Sequence, residues 1–289
     1  MNNGIQPVMI TVAPNGSRVR KSDHPGVPIS PAEIAAEVVD CSRAGASIAH
    51  IHARAPDQSP SYSVEIFQEI IERTREHSDI ALQLSLGTRG FTADQAVAPL
   101  VLNPEMVSLP LRIDPLDIAQ ARSTLHAMTA KVSASGAVPE MSIYDDEMLD
   151  TALELIESGL VTKPYCFGLV LANPVSFESG AQKMMSLVSR LPPGAHWWCA
   201  KGGRYQLELS ALAISLGGHV RVGLEDSIFD FGSPNPAPDN AAMVRRIRDL
   251  CTALGRPVAT AEQVRTMLAS HFFAAEQVSS VSLKRTETL

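Results

Sequence analysis

A (β/α)8 barrel of the α/β class is the fold this sequence predicts, and three observations carry the prediction. Eight short apolar, β-branched runs alternate with longer runs whose apolar residues recur at i, i+3 and i+4. Such alternation argues for a parallel sheet wrapped in helices. The 289 residues suit eight strand–helix units, which typically need about 250 residues. No GxGxxG follows the first run, so the usual opening of a doubly wound nucleotide-binding sheet is missing.

The expected strands cover residues 8–13, 48–53, 80–86, 106–109, 138–144, 166–171, 196–200 and 220–224. Ser30 and Pro31 open the first helix as N-cap and first-turn proline, and Ile34, Val38 and Cys41 form its apolar face. Ile66, Ile70, Ile71 and Thr74 mark the next face. A helix near 117–128 has the weakest pattern. Leu149, Leu153 and Ile156 follow, then Met184, Leu187, Val188 and Leu191. Leu209, Leu212, Ala213 and Leu216 mark the seventh helix, and Val244, Ile247, Leu250 and Leu254 the eighth. Nothing in the composition suggests a linker, so the chain reads as one barrel domain. Its core covers about 8–255, with an appended helix at 260–269 and a polar tail at 270–289.

Composition narrows the function. A net charge of −7, with no cluster of Lys or Arg, argues against a nucleic-acid or anionic-membrane surface. No apolar run approaches a membrane span of roughly 18 residues, and the N-terminus does not read as a signal peptide. Cysteines 41, 166, 199 and 251 show neither CxxC spacing nor dense pairing, which suits a reducing compartment. The expectation is a soluble cytoplasmic enzyme.

Barrel chemistry sits at the C-terminal ends of strands. The second strand ends in His50, Ile51, His52, Ala53 and Arg54. Alternate strand residues share a face, so the two imidazoles point together. Such a pair suits a divalent transition metal, zinc before cobalt, nickel or manganese. Arg54 falls on the same face as a substrate-binding candidate, or else makes a surface salt bridge. In the last strand Arg221 alternates with apolar residues and faces the barrel interior, where a guanidinium requires a carboxylate. Glu225 and Asp226 can supply a metal ligand and that partner or base, or else complement a helix dipole. Ser85 and Ser108, at two neighbouring strand ends, can hydrogen-bond a substrate oxygen. Gly202, Gly203 and Arg204, beside Lys201, form either an anion-binding loop for a cofactor phosphate or a simple glycine turn.

Two segments make a resemblance specific: 44–54, AGASIAHIHAR, and 217–226, GGHVRVGLED. They resemble the paired signatures of the beta-keto acid cleavage enzymes, whose founding activity is 3-keto-5-aminohexanoate cleavage. The resemblance takes in Asn103-Pro104-Glu105-Met106, Pro139-Glu140, weakly Asn173-Pro174, and Gly255-Arg256-Pro257, and extends from residue 8 to about 268. It implies a (β/α)8 barrel, usually a homotetramer or larger, exchanging a beta-keto acid and acetyl-CoA for acetoacetate and a new acyl-CoA. It also implies zinc on His50, His52 and Glu225, a catalytic Arg221–Asp226 pair, and substrate contact by Ser85. Ser108 stands where the family carries a threonine.

One departure bears on the substrate. The founding enzyme holds its substrate ammonium with a glutamate after the first strand, and Arg18 occupies that position here. A guanidinium repels an ammonium but grips a carboxylate bidentately. The expected substrate therefore carries an anionic distal group, as in 3-oxoadipate or 3-oxoglutarate, unless Arg18 faces solvent or a CoA phosphate. Two rivals remain: a metal-dependent barrel lyase or hydrolase working without CoA, and a metal-binding barrel without turnover. The clustered Arg221, Glu225 and Asp226 weigh against the second, because unused buried charge costs stability.

Overall fold

Eight parallel strands close on themselves in the computed structural model, which describes residues 6–87, 90–113 and 118–268. In chain order the strands are β1 (Ile10–Val12), β2 (Ile48–Ile51), β5 (Ala81–Ser85), β6 (Met106–Leu109), β7 (Val138–Ile143), β8 (Cys166–Leu171), β9 (His196–Lys201) and β10 (His219–Val222). The cycle β1-β10-β9-β8-β7-β6-β5-β2 leaves no free edge, so every strand has two partners. Two short strands, β3 (Ala53–Arg54) and β4 (Pro60–Ser61), form a separate antiparallel pair. The sequence had been expected to run β2 through residue 53. The chain instead turns off the ladder at His52 and folds back as this small hairpin.

The helices are α1 (Pro31–Ala44), α2 (Val64–Arg75), α3 (Ala93–Val97), α4 (Ile118–Ser135), α5 (Asp146–Glu157), α6 (Phe177–Val188), α7 (Gln206–Ser215), α8 (Asn240–Ala253) and α9 (Ala261–Leu268). The start of α1 is fixed as expected. Ser30 accepts from the Glu33 amide, and Glu33 returns a bond to the Ser30 amide, which satisfies two otherwise orphaned donors. Helix α4 runs further than its faint periodicity suggested, and the short α3 carries too few apolar repeats to be seen in sequence. The polar tail lies outside the described residues.

Two apolar layers fill the space between barrel and helices. One gathers Val12, Ile34, Val38, Ile51 and Val244, and the other Val107, Leu125, Met141, Leu149 and Leu169. Each such side chain contributes about 1.5–3 kcal/mol through its removal from water. A third cluster lies inside the barrel. Met9, Ile48, Ala81, Met106, Cys166 and Trp198, from the N-terminal halves of their strands, meet Val264 and Leu268 of α9. The floor of the barrel is therefore mostly apolar and plugged, with the buried His219 ring set against Trp198. Ser85 and Ser108 lie toward the opposite end.

Candidate active site

The C-terminal ends of β2, β5, β6, β7 and β10 bring most of the expected residues together. Register pairs His50 with Gln83, Ser85 with Ser108, and Ser108 with Glu140. His50 and His52 face each other with their Nε2 atoms 3.0 Å apart. Glu225 Oε2 lies 3.5 Å from both. That carboxylate oxygen is buried without a hydrogen-bond partner. Among the described residues these three form a group whose ligand atoms lie within 4.8 Å of one another.

The donor set fits a divalent cation. Burial, reinforced by nearby Arg221, pushes His50 down to about 3, so its imidazole is neutral. Its Nδ1 lies 2.7 Å from Gln83 Oε1. An amide oxygen only accepts, so Nδ1 carries the proton and the Nε2 lone pair faces Glu225. Gln83 in turn donates to Glu140 Oε2 at 3.1 Å. Two imidazole nitrogens and one carboxylate oxygen leave coordination positions open for an exogenous ligand.

Arg221 organises the acidic side. Its Nε and Nη2 donate to Asp226 Oδ2 and Oδ1 at 2.9 and 3.0 Å, and Nη2 also donates to Glu225 Oε1 at 2.6 Å. The bidentate geometry orients the Asp226 carboxylate. Burial, with Glu225 alongside, pushes Asp226 up, against the pull of Arg221 and Lys201. Glu225 would also rise by burial, but Arg221 and the two imidazoles hold it well below the usual carboxylate range. Glu225 reaches the histidines because Gly223, at φ 148°, lies where a Cβ would stand 2.1 Å from the Ala13 carbonyl. β10 thus closes directly on β1.

A cavity of about 580 Å³ is lined in part by Arg18, Gly203, Arg204, Glu225, Asp226 and Phe229. Arg18 stands exposed at its edge. Gly203 and Arg204 also line it, whereas Gly202 is buried beneath, its φ of 120° placing Gln206 where a side chain would go. Ser85 is buried and bonds Tyr62, whose hydroxyl is pushed up to about 12 by burial.

Arg54 requires a correction. It reaches neither substrate space nor a surface carboxylate. The residue is 2% exposed. Its guanidinium donates to the carbonyls of Asn15, Gly16, Val19 and Gln58. Sequence reasoning assigned no role to Gln83, Glu140, Tyr62 or Asn15. Gln83 had a legible signal, since it alternates with Ser85 inside an apolar strand. Lys201 was read only as part of a glycine-rich loop. It adopts φ 63° at the end of β9 and sets its Nζ 4.0 Å from Asp226 Oδ1.

Known proteins resemble the chain along most of its length. A family model described as beta-keto acid cleavage enzyme matches residues 7–269. The 3-keto-5-aminohexanoate cleavage enzyme of Fusobacterium nucleatum is 34% identical over 272 residues, covering 91% of this chain and 98% of that protein. The 3-oxoadipate:acetyl-CoA acetyltransferase of Cupriavidus necator is also 34% identical, over 277 residues, covering 91% of this chain and 95% of that protein. In fold, the chain resembles the apo structure of ObcA with a TM-score of 0.73 at 21% identity, covering 85% of this chain and 66% of that longer one. A barrel with these signature segments, matched along nearly its whole length, belongs to the beta-keto acid cleavage enzyme family.

Proposed function

We propose that this chain is a metal-dependent acyltransferase that exchanges a 3-oxo acid and acetyl-CoA for acetoacetate and a new acyl-CoA. The observation that carries the reading is the convergence of His50, His52 and Glu225 with the Arg221–Asp226 pair, of which Glu225 and Asp226 line one cavity. Zinc is the metal we assign, held by His50 Nε2, His52 Nε2 and Glu225 Oε2. Bound there, it would supply Lewis acidity toward the keto oxygen and carboxylate of the substrate.

Asp226, oriented by Arg221, takes a proton from C2 of the 3-oxo acid. The C2 carbanion attacks the acetyl carbonyl carbon, a C–C bond forms, and the C–S bond breaks to release CoA thiolate. Ser85 and Ser108 donate to the oxyanion that develops during this addition. The thiolate then attacks the original keto carbon. The bond between that carbon and C2 breaks, its electron pair leaves with acetoacetate, and Asp226 returns the proton. Arg18 grips an anionic distal group on the substrate. The loop of Gly202, Gly203 and Arg204 takes a phosphate of CoA.

The test incubates metal-loaded protein with acetyl-CoA and a panel of 3-oxo acids, following acetoacetate and acyl-CoA by mass spectrometry. Acetoacetate from a dicarboxylate, dependent on acetyl-CoA, is the expected result. Turnover without acetyl-CoA would favour a lyase or hydrolase instead. A 5-amino substrate outperforming every dicarboxylate would overturn the role of Arg18.

A further inference from the structure

His52 lies one residue beyond the point where the barrel ladder ends, since the register of β2 with β5 stops at Ile51 and Leu84. Its main chain is nevertheless held on both sides by a single side chain. Asn15 Nδ2 donates to the His52 carbonyl at 2.9 Å, and Asn15 Oδ1 accepts from the His52 amide at 3.4 Å. The Asn15 amide thus takes the place of a missing strand neighbour, and it is wholly buried.

The segment bearing Asn15 is itself locked. Arg54 Nη1 donates to the carbonyls of Asn15, Gly16 and Val19 at 3.3, 2.7 and 3.0 Å. Gly16 adopts φ 56°, and a Cβ there would lie 2.5 Å from Glu225 Cγ. Asn240 ties the same segment to the turn after β10 that carries Glu225, accepting from the Leu224 amide at 2.8 Å and donating to the Pro14 carbonyl at 3.3 Å. The Glu225 amide donates to the Ala13 carbonyl at 3.1 Å. One stretch, residues 13–19, therefore abuts two of the three ligating residues and contributes no ligand of its own.

We propose that Asn15, braced by Arg54, is a positioning residue that sets the placement of His52, and that the turn at Gly16 does the same for Glu225. The proposal rests on the reading of His50, His52 and Glu225 as metal ligands. Outer-shell partners that orient ligands typically carry about 10–100-fold in metal affinity.

The test titrates the full-length apoprotein with Co2+ alone, reading the dissociation constant and the d–d absorption spectrum, beside the melting temperature of the metal-free protein. Asn15→Ala should weaken Co2+ binding by about 10–100-fold and alter the d–d bands, with the apoprotein still folded. Asn15→Asp keeps the acceptor for the His52 amide and loses the donor to its carbonyl, so it should fall between the two. A folded Asn15→Ala protein with wild-type affinity and spectrum would overturn the proposal. If Asn15→Ala fails to fold, Arg54→Lys decides, because it loosens the same segment without touching a ligand, and wild-type Co2+ binding there is equally fatal. A wild-type chain that takes up no Co2+ would remove the metal reading itself, an outcome distinct from insensitivity to Asn15.

Discussion

Gln83 holds His50 by its Nδ1, 2.7 Å from the amide oxygen, and so determines which imidazole nitrogen is left to bind a ligand. Replacing Gln83 with Leu removes that acceptor and strands Glu140, its other partner. Metal affinity should fall by about 10–100-fold, measured by competition with a chromophoric chelator. An unchanged affinity in a folded variant would show that packing alone fixes the ring.

His50→Ala deletes one of the three proposed ligands at the end of β2, where the ring is buried by neighbours that do not depend on it for the barrel ladder. Turnover should drop by at least about 10²–10³-fold, the scale seen elsewhere for loss of one preorganised stabilising group. The far-ultraviolet circular dichroism should keep its wild-type shape. Retained turnover after metal removal by a chelator would contradict this account.

Arg18→Glu reverses the charge at the edge of the cavity. For a dicarboxylic 3-oxo acid kcat/KM should fall by about 100-fold, the equivalent of one good charge-assisted bond of roughly 1.5–3 kcal/mol. The 5-amino substrate should improve. Parallel losses on both substrates would place Arg18 on CoA rather than on the acid.

Ser85→Ala should lower kcat by about 10²–10³-fold, the usual cost of losing one oxyanion donor, with little change in KM. The hydroxyl is buried beside Ser108 across the β5–β6 register, so the serine pair sits on rigid strands. A change confined to KM would assign it to ground-state binding instead.

Stability should fall in mild acid, and beyond the share of buried His50 part of the reason lies away from the candidate site. Burial holds His219 well below the usual value of 6.5, helped by His196 and Arg256, and burial also lowers His196. His219 Nδ1 accepts from the Met9 amide at 3.1 Å, a bond only the unprotonated nitrogen can make. The His219 ring is neutral in the folded chain and binds a proton once unfolded, and His196 acts in the same direction, so stability rises with pH up to about 6.5 and is lost below it. The slope approaches about 1.4 kcal/mol per pH unit for His219, and His196 adds to it in the same direction. Melting temperatures between pH 7.5 and 5 should show this decline, shallower in His219→Gln.

The barrel and the His50, His52, Arg221, Glu225 and Asp226 constellation were legible because alternation along a strand is local. A period of two decides which side chains point inward, and the strand ends follow from where apolar runs stop. Arg54 was misread by the same logic. Its parity with His52 was correct, but parity says nothing about a hairpin that folds back from β2 and turns the guanidinium onto main-chain carbonyls. Asn15 was invisible for a related reason, since its partner lies 37 residues away. Glu140 appeared as a motif letter without a role, because its partner Gln83 is 57 residues distant.

The plug that α9 sets into the barrel floor has a kinetic corollary. Among the described residues, Val264 and Leu268 pack in one cluster with Trp198 and Met106 and fill the lower end. Both reactants then arrive through one vestibule, the small acid travelling deepest and the bulky thioester closing in behind it. Departure runs in reverse, acyl-CoA before acetoacetate. Under the proposed reaction, initial-rate patterns should be those of an ordered sequential mechanism, with acetoacetate competing against the 3-oxo acid alone.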